Sequence, residues 1–221
     1  MKHNKIQLIV LLLAGLILSM GAHASTIEKV KKHGAVRCGI NENLPGFSER
    51  NSNGQWAGLD VDMCRAVAAA IFSDASKVEY IPVSATNRFE SLAAGKIDML
   101  ARNTTWNLSR DTGMNITFVG VNYYDGQGFL VAKKSGIRSA LELDGSVICA
   151  EKGTTHIDNL KDYFLLNRMK YQVKLFDSAQ KALNAYEEGQ CQVITSDQSS
   201  LYSLRTQLKK PKESKVLPEV I

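Results

Sequence analysis

Arg110 is the first side chain in this sequence whose type and position fit a ligand-binding role. It follows a predicted strand and the polar turn Asn103–Ser109. A guanidinium in such a place can hold a carboxylate through two parallel hydrogen bonds. The Thr105 hydroxyl and backbone N–H groups near Asn103 would complete the cradle. The alternative is a surface ion pair with the next residue, Asp111.

Asp197 is a candidate for the opposite charge. It ends a predicted strand and precedes a helix predicted over Gln198–Leu208. Its carboxylate can receive an ammonium group from a ligand, or it can cap the helix by accepting backbone N–H bonds. One residue can do both, so the sequence leaves the two interpretations open.

A third candidate is the turn Gly153-Thr154-Thr155-His156, which follows a strand and opens a helix. Backbone N–H groups and the helix dipole at such a point favour an anion. The turn is not a P-loop, because the Gly-x-x-x-x-Gly-Lys pattern is absent. We therefore expect anion contacts near Thr154 and Thr155 without a nucleotide.

Several classes of site are disfavoured by what the sequence lacks. After residue 24 only His33 and His156 remain, and neither belongs to a recognisable catalytic triad, which counts against hydrolytic chemistry. The cysteine spacings match no zinc pattern. The net charge is +5 and no basic run is interleaved with aromatics, which disfavours nucleic acid. We expect no metal, no cofactor and no nucleic-acid partner.

Helices and strands alternate along the chain and must position these side chains. The helical patterns cover Thr26–His33, Leu59–Phe72, Asn87–Ala94, Thr155–Leu165 and Ala179–Glu188. The strand patterns cover Ala35–Ile40, Val78–Val83, Ile97–Ala101, Phe129–Ala132, Val147–Ala150, Gln172–Phe176 and Gln192–Thr195, with a loop over Asn41–Ala57. Such alternation predicts an α/β protein with a parallel sheet flanked by helices.

Two stretches have the same construction, a short helix, a glycine and a buried strand: Arg88–Leu100 and Ala182–Ile194. Any α/β protein repeats this unit, but the matching layout favours two lobes. We predict lobe one over 25–125 and lobe two over 126–221, with a hinge near 123–128. Because ligands of open α/β sheets bind beyond the carboxyl ends of strands, we expect the ligand between the lobes.

The first 24 residues have the three parts of a secretory signal peptide. Met1–Lys5 is basic, Ile6–Met20 is almost wholly apolar, and Ala22-His23-Ala24 is a small-x-small cleavage pattern. A membrane anchor is the alternative, but the apolar run is shorter than the roughly 20 residues that a spanning helix needs. We predict cleavage after Ala24 and a periplasmic location.

The chain has four cysteines, Cys38, Cys64, Cys149 and Cys191, all after the predicted cleavage site. An even number in an oxidising compartment favours disulfides, and three connectivities are possible. We prefer Cys38–Cys64 with Cys149–Cys191, because each pair then lies within one half of the chain.

Five segments together resemble a known family. They are 38–48 (CGINENLPGFS), 58–66 (GLDVDMCRA), 102–112 (RNTTWNLSRDT), 121–129 (VNYYDGQGF) and 195–202 (TSDQSSLY). In this order they resemble the periplasmic solute-binding proteins of polar amino-acid ABC transporters, and most of all the general L-amino-acid-binding branch. The resemblance implies a type II periplasmic-binding-protein clamshell that holds one free amino acid.

The resemblance also implies roles for individual residues. Arg110 matches the family's ligand for the α-carboxylate, with Thr105 and Asn103 beside it. Asp197 matches the ammonium ligand of the second lobe. Thr154 and Thr155 match the turn that adds carboxylate contacts, and Phe47 matches an aromatic residue of the first-lobe pocket.

The resemblance predicts one departure from the family. Relatives continue beyond the point where this chain stops, at Leu217–Ile221, and cross back to complete lobe one. The C-terminal return to lobe one would then be missing, which predicts a truncated chain or part of a longer one, with uncovered apolar surface.

The function that follows is periplasmic binding of free L-amino acids for delivery to an ABC transporter. The partners would be the amino acid and the inner-membrane permease subunits, and the protein would be a monomer and not an enzyme. One alternative is an enzyme on the same scaffold, a dehydratase or a cell-wall-cleaving module, using Glu42, Glu151 or His156. The other is a truncated remnant without activity.

Overall fold

The computed structural model describes residues 25–221. The predicted leader, residues 1–24, lies outside the described residues. Ser25, which cleavage after Ala24 would make the N-terminus, is the first residue described. The described residues fall into two units, one that ends at Gly34 and one that covers residues 35–221. Within the described range no helix is both long and apolar enough to cross a membrane.

Helix α1 (Thr26–His33) is the described part of the first unit. It begins with a capping box, in which the Ser25 hydroxyl accepts the Glu28 N–H and the Glu28 carboxylate accepts the Ser25 N–H. It ends at Gly34, whose φ of 88° is in the left-handed region that glycine adopts without strain. The predicted helix and its glycine cap are confirmed.

The second unit begins with a region of small elements around a three-stranded sheet. In chain order they are β1 (Val36–Ile40), β2 (Glu49–Arg50), β3 (Trp56–Ala57), α2 (Leu59–Phe72), β4 (Val78–Pro82), α3 (Arg88–Ala93), β5 (Met99–Leu100) and α4 (Leu108–Gly113). The sheet order is β4–β1–β5 and both pairs are parallel, as predicted. We call residues 35–125 the first sheet region.

Two features of the first sheet region differ from the sequence prediction. The predicted loop Asn41–Ala57 contains the antiparallel hairpin β2–β3, whose two-residue strands are too short to leave an alternating pattern. Helix α4 lies where a polar turn was predicted up to Ser109. It forms because the Asn107 side chain accepts the Arg110 N–H at 3.0 Å and so caps the helix.

The rest of the unit, residues 126–221, is the second sheet region. Its elements are β6 (Gln127–Ala132), β7 (Ser146–Glu151), α5 (His156–Leu166), β8 (Tyr171–Phe176), α6 (Ala179–Glu187), β9 (Val193–Asp197), α7 (Gln198–Thr206) and β10 (Ser214–Val216). Three 3₁₀ turns lie at Lys133–Ser135, Ala140–Glu142 and Pro211–Glu213.

The second sheet has the order β10–β6–β9–β7–β8. Strands β9, β7 and β8 are parallel, but β6 runs antiparallel to both β9 and β10. The prediction of a wholly parallel sheet is therefore wrong for β6 and for the unpredicted β10. No crossover helix follows β6, only 3₁₀ turns, so nothing forces it to run parallel to its neighbours.

The central strands of this second sheet, β6, β7 and β9, are buried on both faces, whereas most residues of the edge strand β8 are exposed. Consecutive residues of β6 alternate, since Leu130 joins one apolar cluster while Phe129 and Val131 join the other. The first cluster includes Leu183 of α6 and Leu201 and Leu204 of α7, and the second includes Leu160 and Phe164 of α5. Helices on both faces are what the alternation of elements predicts.

Disulfide bonds join Cys38 to Cys64 and Cys149 to Cys191. The first ties β1 to α2, and the second ties β7 to the residues just before β9. All four cysteines are buried. Each bond therefore links the sheet of one region to a neighbouring segment of that same region, which is the pairing preferred from the sequence.

Candidate ligand-binding site

A cavity of about 440 Å³ lies between the first and second sheet regions. Five of the predicted ligand residues line it: Phe47, Asn103, Thr105, Thr155 and Asp197. Arg110 and Thr154 do not line it. The fold thus brings together side chains that lie up to 150 positions apart in sequence, as expected if ligand binds beyond the carboxyl ends of the strands.

Arg110 lies in α4 with only 5% of its surface exposed. Its Nη1 donates to the Thr105 carbonyl at 2.8 Å, and its Cζ lies 5.3 Å from the centre of the Phe89 ring. Burial lowers the pKa of Arg110, and the nearby charge of Asp197 opposes that change. The side chain is thus held against Thr105 and Phe89 rather than in a surface pair with Asp111.

Asp197 ends β9 and occupies the N-cap position of α7, but its side chain makes no capping hydrogen bond. Instead, its Oδ1 lies 2.9 Å from Nε2 of His156. His156 is buried and its carbonyl accepts a hydrogen bond from the Gln127 side chain. The sequence left open whether Asp197 caps the helix. Asp197 does occupy the N-cap position, but the predicted capping hydrogen bond is absent.

The turn before α5 uses its two threonines differently. The Thr154 hydroxyl donates to the Glu151 carbonyl at 2.8 Å and so stabilises the turn itself. The Thr155 hydroxyl oxygen lies 3.3 Å from that of Thr105 in the first sheet region. Thr155 is thus the member of the pair that meets the opposite side of the cavity.

Asn103 and Phe47 lie on the first-region side of the cavity. Asn103 Oδ1 accepts a hydrogen bond from Asn41 Nδ2 at 3.2 Å, so its amide is oriented by the loop after β1. Phe47 is half-buried and meets Tyr123 edge to face, with ring centres 5.5 Å apart. Asn41 was not singled out from the sequence, because nothing local marks it as a partner of Asn103.

An ion pair that the sequence did not reveal spans the two regions. Arg102 Nη2 lies 3.4 Å from Glu151 Oε1, and the two side chains are only 3% and 9% exposed. Burial lowers the pKa of Arg102 and raises that of Glu151, while their mutual attraction opposes both changes. Since Arg102 follows β5 and Glu151 ends β7, the pair forms only when the two regions meet.

A second contact between the regions is made by Arg88 at the start of α3. Its Nη2 donates to the Gly153 carbonyl at 3.2 Å. Gly153 has a φ of 74°, and a Cβ there would lie 2.9 Å from the Ala85 carbonyl oxygen. Only glycine permits this approach of the two backbones without strain, and no local pattern in the sequence announces it.

Asp60, at the start of α2, is a buried carboxyl that lines the cavity. Its Oδ1 accepts a hydrogen bond from Asn122 Nδ2 at 3.1 Å, and its Oδ2 has no partner among the described residues. Burial raises the pKa of Asp60 to about 6, against the opposing effects of Asn122 and Arg102. The sequence analysis missed this residue.

The three groups considered for an enzyme do not line one cavity. Glu42 and Glu151 line a second cavity of about 400 Å³, whereas His156 lines the first. Arg102 lines both. Over residues 25–221 no group of three or more His, Cys, Asp or Glu side chains is arranged to hold a metal ion.

Two curated proteins are similar to this chain over most of its length. The putative amino-acid ABC transporter-binding protein YhdW of Escherichia coli O157:H7 is 48% identical over 99% of the chain. The general L-amino acid-binding periplasmic protein AapJ of Rhizobium johnstonii is 49% identical over 93% of it. The chain spans 65% and 61% of the lengths of these two relatives.

A solved structure is similar as well. The periplasmic binding protein from Brucella ovis with glutathione bound superposes with a TM-score of 0.87 at 48% identity, covering 90% of this chain and 63% of that one. The fold is therefore that of the type II periplasmic binding proteins. The family model for bacterial extracellular solute-binding proteins, family 3, matches residues 36–215, and the chain belongs to this family.

Proposed function

We propose that this protein binds free amino acids in the periplasm and delivers them to an ABC transporter. The observation that supports the proposal is the nearness of two opposite charges from different regions, since the Asp197 carboxylate of the second region acts on the pKa of the buried Arg110 guanidinium of the first. A zwitterion carries two charges that are costly to remove from water, so each needs such a partner.

In this proposal the α-carboxylate binds Arg110, with the hydroxyls of Thr105 and Thr155 beside it. The ammonium group binds Asp197. Asn103 and Phe47 line the first-region side, and Thr154 stabilises the turn that presents Thr155. Binding both charges at once would draw the regions together, since neither region alone supplies both partners.

The lobes of a clamshell would be residues 25–125, which include the first sheet region, and residues 126–221, with the hinge near 123–128. Support comes from the chain path, which passes from the first sheet to the second only between Leu100 and β6, and from contacts across the cleft. One is the Ser203 hydroxyl, which donates to the Pro45 carbonyl at 2.8 Å. Hinge closure around a ligand is a common motion of two-lobed binders.

The remaining parts of the proposal concern export and partners. The leader would be cleaved after Ala24, and the monomeric protein would meet permease subunits at the inner membrane. The name of YhdW supports a transporter partner, and the name of AapJ supports a periplasmic location. N-terminal sequencing of the exported chain tests the cleavage site, and an N-terminus other than Ser25 would contradict it.

Calorimetry with a panel of L-amino acids tests the central proposal. The full chain, expressed with its leader and recovered from the periplasmic fraction, should bind at least one of them near micromolar affinity, or about −8 kcal/mol. No heat with any amino acid would overturn it. Chromatography of the recovered ligand checks the enzyme alternative, since a bound amino acid that returns chemically unchanged supports a binding protein.

A further inference from the structure

His156 is a buried imidazole in the wall of the proposed amino-acid site. It is 4% exposed, begins α5 and lines the cavity of about 440 Å³. Its carbonyl accepts a hydrogen bond at 3.1 Å from the side chain of Gln127 in β6, whose amide nitrogen also donates to the Thr195 hydroxyl of β9 at 2.8 Å. The start of α5 is thus tied to the central strands of the second sheet, which gives the imidazole a defined place beside the cavity.

The His156 side chain bonds the carboxylate that the proposed function assigns to the ligand ammonium group. Its Nε2 lies 2.9 Å from Oδ1 of Asp197. The Asp197 side chain is 18% exposed and that of His156 is 5% exposed, so the carboxylate is the more accessible member of the pair. Asp197 makes no capping bond with α7, and the hydrogen bond that orients its carboxylate comes from His156 instead.

These contacts determine what a proton does at each nitrogen of His156. A carboxylate only accepts hydrogen bonds, so Nε2 is the donor to Asp197. Nδ1 is buried and has no partner among residues 25–221. A proton on Nδ1 as well would create a buried positive charge with an unpaired donor, and both are costly. That second proton is therefore tolerated only while the charge of Asp197 balances it.

Asp197 is the carboxylate available to balance a charge on His156. Glu151 at the end of β7 also feels the charge of His156, but it is already paired with Arg102. The other acidic side chains in the wall of this cavity or next along α5 are Asp60, Asp125 and the exposed Asp158. The ligand ammonium group and a protonated His156 would therefore compete for the same carboxylate.

We propose that His156 is a positioning residue of the amino-acid site, which holds Asp197 for the ligand ammonium group and releases a proton to solvent when that group binds. This inference rests on the proposed function and adds its regulation by pH. Because the ammonium group takes over the charge of Asp197, the bound state favours the neutral imidazole. The complex then holds fewer protons than the free protein, so the affinity rises with pH over the range in which histidine titrates.

Calorimetry of the exported full chain at pH 6 and pH 8 tests the inference. The probe is the tightest-binding L-amino acid of the panel other than L-histidine, whose own side chain titrates in this range. It should bind about tenfold more tightly at pH 8 than at pH 6. Titrations in two buffers with different ionisation enthalpies should show protons released on binding. An affinity independent of pH, with no proton released, would overturn the inference and leave the proposed function standing.

His156→Gln keeps an amide nitrogen that can donate to Asp197 but has no titratable group. It should bind within about threefold of the unaltered chain at pH 8 and lose the dependence on pH. His156→Leu removes the donor as well and should weaken binding about tenfold at pH 8. His33→Gln, the same substitution at an exposed histidine of α1, is the matched control and should change neither the affinity nor its dependence on pH.

Asp60 titrates in the same range, because burial raises its pKa to about 6, and it lines the same cavity. Proton release should persist in Asp60→Asn and disappear in His156→Gln. The reverse result would assign the proton to Asp60 and overturn the inference.

Two further outcomes separate the possibilities. If His156→Leu binds as tightly as the unaltered chain at pH 8, His156 does not position Asp197 and the inference is wrong. If the unaltered chain binds no amino acid at either pH, the inference and the proposed function both fail. Proton release measured in the unaltered chain and in Asp60→Asn decides the matter even where a His156 variant does not fold.

Discussion

The two sheet regions differ in how completely they cover their own apolar surface. The second has apolar clusters on both faces of the central strands of its five-stranded sheet. The first has three strands and leaves large apolar side chains in solvent, among them Leu108, Val119 and Tyr124 at 77%, 96% and 89% exposure, although the second also exposes Leu165 and Leu166. By burial alone, the second region is the better able to support its own folding.

The regions also differ in the charges that they bring to the junction. The first supplies three buried cations, Arg88, Arg102 and Arg110, together with the carboxyl of Asp60, whereas the second supplies the anions Glu151 and Asp197. Apolar burial is thus concentrated in the second region, whereas the proposed ligand site draws on both.

Removal of one disulfide at a time should show whether the first and second sheet regions differ in stability. Each bond closes a loop, of 42 residues for Cys149–Cys191 and 26 for Cys38–Cys64. By loop entropy, each should contribute about 3–4 kcal/mol, with the longer loop contributing slightly more. Hydrogen exchange with mass spectrometry can follow each region in the paired Cys→Ala variants.

We expect the Cys149→Ala, Cys191→Ala variant to exchange faster in β7 and β9, and the Cys38→Ala, Cys64→Ala variant to exchange faster in β1 and α2. The chain without substitutions, measured under the same conditions, is the reference. Equal acceleration across both regions in either variant would mean that they unfold as one unit, and the contrast between them would not hold.

Removal of the charged side chain that each region would offer to the ligand should weaken amino-acid binding more than it destabilises the fold. Arg110→Ala should weaken amino-acid binding about 100-fold, because a buried charge-assisted contact is removed. Asp197→Asn, a matched change in the second region, should weaken it by about tenfold or more. Arg138→Ala serves as the exposed control.

Calorimetry measures the affinities, and circular dichroism checks that the fold is retained. Retained affinity in Arg110→Ala would refute the carboxylate role. If Arg110→Ala weakens amino-acid binding but Asp197→Asn leaves the affinity unchanged, ligand recognition would be restricted to the first region.

Asp60 makes the stability of the first region depend on pH. Its folded pKa is about 6 against an ordinary 3.8, so the folded chain holds a proton over this interval that the unfolded chain has lost. Its contribution to stability is therefore full below about pH 4 and is lost as the pH rises through about 6.

Asp60→Asn should remove this loss and raise the unfolding free energy at pH 8 by about 3 kcal/mol, with little change at pH 4. The asparagine oxygen can still accept from Asn122. Urea unfolding at the two pH values measures the effect, with the exposed Asp62→Asn as the control. An equal change at both pH values would show that ionisation of Asp60 is not its cause.

Much of the fold was predictable because its signals are local. Helix α2 has the predicted bounds Leu59–Phe72, since its apolar face repeats at the helical period. Gly34, Gly95 and Gly189 end their helices with positive φ as glycine permits. The antiparallel β6 was not predictable, because pairing direction depends on which strands become neighbours, and residues 127–132 do not encode this.

The sequence by itself determined most of the element order, the family resemblance and a set of side chains that suit a zwitterion, because these depend on spacing and residue type along the chain. Tertiary structure decided that Arg102 meets Glu151, that Asp197 meets His156 and that Arg88 is buried with unpaired donors. Each is a contact between residues about 40 or more positions apart. The physical reason is that burial and charge pairing are properties of packed neighbours, and only folding selects those neighbours.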